Sequence, residues 1–115
     1  MRSYSENEGW IVEAGDTVIT KQAGGDRLSP AERLIYCLWV ADYGMRNAGD
    51  LDTAHDVYPK FQREAFELAG DLGLQYTRQS FGLPTETLQA EYFERFDCIC
   101  TEIQGIYLQG HGQPT

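Results

Sequence analysis

Apolar residues recur at helical spacing through the last three quarters of the chain, and their register predicts the principal elements. Ser29-Pro30-Ala31-Glu32 sets a hydroxyl cap, a proline at the first helical position and a glutamate three residues after the cap. The helix that follows, over 30–45, carries Leu34, Leu38, Ala41 and Met45 on one stripe. Ile35, Tyr36, Trp39 and Val40 make it apolar nearly all round, which predicts a central position, and Asn47-Ala48-Gly49 supplies its stop. Asp50 or Asp52 caps a short helix over 50–58, closed by Pro59. A third helix, 59–72, places Phe61, Ala65, Leu68, Ala69 and Leu72 on one face, with Glu64, Glu67 and Asp71 on another, until Gly73.

Residues 74–83 show no clean period, and Pro84-Thr85 opens the longest helix, 85–108. At 100° per residue, Leu88, Tyr92, Phe93, Phe96, Ile99, Cys100, Ile103, Ile106 and Tyr107 share one arc. Glu86, Glu91, Glu94, Asp97 and Glu102 share the opposite one, relieved only by Arg95. Trp39, Phe61, Leu68, Phe96 and Ile103 are the expected centre of the core.

The N-terminal pattern differs. Trp10-Ile11-Val12 and Thr17-Val18-Ile19-Thr20 are β-prone runs joined by Ala14-Gly15-Asp16, which predicts a hairpin or an extended arm anchored by Trp10 or Ile19. Ala23-Gly24-Gly25-Asp26 reads as a linker. The expected fold is therefore mainly α: a compact bundle of about four helices over 28–109, preceded by an extended or hairpin segment over 1–27 and followed by a flexible tail, 110–115.

Length changes this picture little, since 115 residues suffice for one core without a staple. Charge changes it more. A net charge of −9 repels bare nucleic acid and favours basic partners. Three cysteines, with Cys98 and Cys100 two apart on a helix and pointing different ways, suit free thiols in a reducing compartment. The first residues are polar and no apolar run approaches the roughly 20 residues of a membrane span, so a cytoplasmic protein is expected.

Candidate chemistry is sparse. Asp42, Asp50, Asp52, His55 and Asp56 form the one carboxylate and histidine group, but a metal site needs further histidines and only His111 remains. No metal or cofactor is expected. Asp42 lies beside Leu38 and Ile35, and Arg46 four residues on offers it an intrahelical pair. Neither a nucleophile with a base nor a phosphate-cradling glycine loop is present. What remains is charge: the carboxylates of positions 86–102 span about 24 Å at 1.5 Å per residue, and Asp50, Asp52 and Asp56 could form a second row.

The residues Leu28 to Tyr36, then Trp39, Asn47-Ala48-Gly49 and the Phe61 to Gly73 helix resemble a bacterial helical domain family best known from an acidic DNA-mimic protein. The resemblance runs over roughly 28–74. Asn47 and Gly49 match the family's Asn-Gly-Gly turn, whereas Ala48 replaces the first glycine and Asp50-Leu51-Asp52 stands where aromatics follow in the family. The resemblance implies an all-helical fold and an acidic protein that occupies the DNA-binding face of a regulator; no catalytic residue comes with it. The expected function is thus non-enzymatic: an acidic interaction or inhibitor protein that meets a basic protein, at its furthest a DNA-binding protein, through Glu86, Glu91, Glu94, Asp97, Glu102, Asp50, Asp52 and Asp56. An immunity-like toxin-neutralising protein and a small enzyme using Asp42 and His55 stand as alternatives, and the oligomeric state is open.

Overall fold

The computed structural model describes residues 6–111, with side chains as far as Tyr107. Six helices follow one another: α1 (Glu6–Ala23), α2 (Pro30–Ala48), α3 (Asp52–Val57), α4 (Phe61–Leu72), α5 (Gln75–Phe81) and α6 (Thr85–His111). No strand occurs among the described residues. The α2 helix is the hub, packing against α1, α3, α4 and α6, while α5 bridges α4 and α6. The radius of gyration, 13.4 Å, agrees with the ~13 Å expected of a globule of this length. No helix of the described residues is long and apolar enough to cross a membrane.

The expected N-terminal hairpin is instead the helix α1. Ile11, Ala14, Gly15 and Val18 are its buried residues, spaced three, four and seven apart. Helix propensity disfavours its β-branched residues by only a few tenths of a kcal/mol each, whereas burying Ile11 or Val18 fully is worth ~1.5–3 kcal/mol. Packing wins. Gly15, read as a turn, is the contact point with α2: a Cβ there would lie 2.3 Å from the Trp39 ring. The anchors are Ile11 and Val18, with Trp10 and Ile19 only half-buried. Gly24 and Gly25 form the tight turn of the expected linker, Gly25 at φ 90°.

A second clamp holds α1 on α2. Lys21 Nζ donates to both carboxylate oxygens of Glu32 at 3.0 and 2.8 Å. Glu32 also accepts from the Ser29 backbone N–H at 2.8 Å, and its own N–H donates to Ser29 Oγ, which completes the capping box. Burial pushes the Glu32 carboxyl up, but the bonds from Lys21 and Ser29 outweigh it and hold the group below its ordinary value. The α2 helix then runs to Ala48, three residues past the expected end, and Gly49 caps it at φ 77°.

Two short helices depend on side chains from α6. The α3 helix is shorter than expected: Asp50 Oδ1 accepts from the Thr53 N–H, and Leu51 N–H donates to Gln89 of α6 at 2.8 Å. The α5 helix lies in the stretch that shows no sequence period. The N–H groups of its second and third residues, Tyr76 and Thr77, donate to the Glu102 carboxylate at 3.0 and 2.8 Å, and Thr77 Oγ1 adds a third bond. Gln62 of α4 secures the α5–α6 turn by donating to the carbonyls of Phe81 and Leu83 and accepting from Thr85 Oγ1.

Phe61, Leu68, Phe96 and Ile103 are buried as expected. Trp39 is not. It is half-buried at the rim of α2, its ring stacked between Tyr36 at 6.3 Å and Tyr43 at 5.5 Å. Phe93, placed by the wheel in the buried arc, is 51% exposed. Gly110 and His111, assigned to a tail, are the last residues of α6; residues 112–115 of that tail and 1–5 of the N-terminal segment lie outside the described residues.

Candidate interaction surface

The α1, α2 and α6 helices meet around one cation, Arg46. Its Nε donates to both oxygens of Asp42, four residues earlier, at 3.0 and 3.1 Å. Its Nη1 pairs with Glu8 of α1 at 2.8 Å, and its guanidinium lies 4.9 Å from the Phe93 ring centroid and 5.0 Å from that of Phe96. Asp42 is 5% exposed and accepts from the Tyr92 hydroxyl at 2.8 Å. Burial raises the Asp42 carboxyl above its ordinary value, the bonds from Tyr92 and Arg46 pull it back, and the charge of Glu8 pushes it up again. Burial, then the charge of Asp42, drives the Tyr92 phenol well up. The expected intrahelical pair is therefore one part of a network joining three helices.

Around this junction the structure gathers carboxylates distant in sequence. The Leu51–Gln89 bond sets Asp50 and Asp52 against α6, one turn after Glu86 and one turn before Phe93. One turn beyond Phe93, Asp97 accepts from Asn7 Nδ2 at 2.8 Å, which brings the first turn of α1 with Glu6 and Glu8 to the same side. Glu86, Glu94, Asp52, Asp56 and Asp97 are exposed. The start of the Asp50 to Asp56 segment thus meets α6 at Gln89, between Glu86 and Phe93 in the order of that helix.

Two of the expected residues leave the free face. Glu91 pairs with Arg95 at 2.9 Å, and Glu102 is committed to the start of α5. Asp50 is half-buried in its capping role. Lys21, Arg33, Arg46, Arg63 and Arg95 each pair with a carboxylate of their own, so among the described residues Glu86, Glu94, Asp52 and Asp56 form no ion pair. Glu8 and Asn7 join the surface without a sequence signal, and Phe93 joins it from an arc expected to be buried. Phe93 alone carried a signal, since its wheel position lies only ~20° from that of Glu86.

The residues of the enzymatic alternative lie in different surroundings. Asp42 faces Tyr92 and Arg46, whereas the His55 ring packs on Phe61 at 4.8 Å and lines a groove of 410 Å³ with Pro59, Gln62, Phe66 and Leu83. No hydrogen bond or ion pair joins the two. No group of three or more His, Cys, Asp or Glu among the described residues is placed to hold a metal ion. The thiols are free; Cys37 and Cys100 are buried and pushed up by that burial, and Cys98 is exposed. Comparison of the chain with protein-family models, curated proteins and solved structures finds no match.

Proposed function

We propose that this protein is a non-enzymatic binding protein, of interaction or inhibitor type, whose α6 and α3 carboxylates receive a basic protein partner. The observation that carries the reading is the division of charge: Arg33, Arg46 and Arg95 are spent on internal pairs, while Glu86, Glu94, Asp52 and Asp56 stand exposed with no ion pair among the described residues. Such a field raises the encounter rate with a cationic surface.

A DNA-binding protein is the sharpest case of such a partner, following the family resemblance. Charge density limits how literal that mimicry is. Glu86, Glu94 and Asp97 spread three charges over ~16 Å of helix, where one DNA strand carries about five. The patch suits a discrete basic surface better than a groove that reads phosphate spacing.

The test is capture of partners from the native cell at about 0.05 M and 0.5 M salt, with Glu86→Lys/Glu94→Lys alongside the unaltered chain. Both positions are exposed and unpaired, so thermal stability should hold while association slows. Raising salt shortens the Debye length from roughly 14 Å to 4 Å and should slow it likewise. A partner indifferent to salt and to charge reversal would instead favour the immunity-like alternative, with an apolar contact at Val12 and Tyr43, which are 50% and 43% exposed.

A further inference from the structure

One cavity breaks the acidic pattern. It has a volume of 420 Å³ and is lined by Arg33 of α2, Tyr58 and Lys60 before α4, and Arg63, Glu64 and Glu67 within that helix. Three cations converge there in a chain that has nine in all. Their position is unfavourable for the helix itself. Lys60 is the N-cap of α4 and Arg63 lies in its first turn, at the positive end of the helix dipole, and no side chain caps that end. The one acid of that turn, Glu64, bonds Arg33 and Tyr58, so Lys60 and Arg63 still leave the helix start cationic, and an anion in the cavity would offset that cost.

The two carboxylates in the wall do not fill that role. Glu64 is already engaged, accepting from the Arg33 guanidinium and from the Tyr58 hydroxyl. Its acceptance holds Arg33 in place and pushes the Tyr58 phenol up to about 12. Glu67 reaches Arg63 at 3.2 Å, with side chains 59% and 84% exposed, so the pair is weak and readily exchanged.

We propose that this cavity binds a small soluble phosphomonoester, its phosphate held by Lys60, Arg63 and the fixed guanidinium of Arg33, with Tyr58 as a wall for the ester group. A dianion matches converging cations better than a single carboxylate, and the guanidinium fork fits phosphate oxygens. Nucleic acid and anionic membranes present the same group but must bring a whole polyanionic surface up to a chain of charge −9. A small ester need not. The site is independent of the acidic face, so failure of either leaves the other standing.

The experiment is an amide NMR titration with inorganic phosphate and with glycerol phosphate, against chloride at equal ionic strength. Saturable shifts confined to residues 60–64 and Arg33 are expected, with a dissociation constant on the order of 1 mM for inorganic phosphate. Lys60→Gln/Arg63→Gln, at exposed positions, should weaken binding at least tenfold with the fold intact. Glu67→Gln removes the competing carboxylate and should tighten it several-fold. Shifts that fail to saturate, or that persist unchanged in the double variant, overturn the proposal. So does co-sedimentation with phosphatidic acid vesicles without saturation by glycerol phosphate.

Discussion

Replacing Tyr92 by phenylalanine removes one oxygen from the interior and leaves the ring in place. Tyr92 is fully buried and its hydroxyl donates to Asp42 at 2.8 Å, so no water takes over the bond. A hydrogen bond to a charged acceptor is worth ~1.5–3 kcal/mol, and one to a neutral acceptor ~0.5–1.5 kcal/mol. The penalty should therefore depend on pH. Burial raises Asp42 above its ordinary value of 3.8, so the folded chain keeps a proton where the unfolded chain has lost it. Stability drawn from this group is fullest below 3.8 and falls as pH rises through the folded value. The Tyr92 bond is one of the effects that lowers that folded value, so Tyr92→Phe widens the window and deepens the fall. Urea unfolding should show a penalty of about 1 kcal/mol near pH 4 and about 2–3 kcal/mol at pH 7. The latter is a melting-temperature drop of roughly 8–12 °C. Glu32, whose depressed value works in the opposite sense, is common to both proteins and cancels. A penalty equal at the two pH values, or below about 0.5 kcal/mol at pH 7, would refute the reasoning.

Gly15→Ala should destabilise by up to ~2 kcal/mol, overpacking against Trp39 outweighing the helix propensity gained; in a Trp39→Ala background the same change should become stabilising, which thermal unfolding of the four proteins decides. Glu102→Ala should cost ~0.5–2 kcal/mol and release α5 first, seen as faster hydrogen exchange at the Tyr76 and Thr77 amides than elsewhere. Under native conditions an alkylating reagent should modify Cys98 alone, with Cys37 and Cys100 reacting only on unfolding; rapid native labelling of all three thiols would contradict their burial.

The helices legible in the sequence are those whose signals are local. Ser29 and Glu32 make the α2 capping box within four residues, and Gly49 and Gly73 end α2 and α4 by their own left-handed backbone. The α5 helix was illegible because its cap, Glu102, comes from 25 residues downstream. In α1 the helical stripe Ile11, Ala14, Gly15, Val18 was present, but β-branched neighbours and a glycine imitate a hairpin until Trp39 is seen to need that glycine. The surface divides in the same way. The Asp42–Arg46 pair follows from spacing on one helix, whereas Tyr92, Glu8 and Asn7 enter from other helices and carry no sequence signal. For Glu91 and Glu102 a wheel shows which way the carboxylate points and not which group meets it there.

Asn7 bonds α6 twice, donating to Asp97 and accepting from Gln104, 90 and 97 residues away. On the ribosome, at ~5–20 residues per second, those partners emerge about 5–20 s after Asn7 itself. The Lys21–Glu32 clamp spans only 11 residues, so the α1–α2 pair can close long before. During that interval the pair must wait with the side destined for α6 uncovered, and Arg46 without the Phe93 and Phe96 rings that later shield it. A nascent chain that closes this pair early would pass through a half-roofed state, and a chaperone that recognises apolar helical surface would find its opening there rather than in the finished molecule.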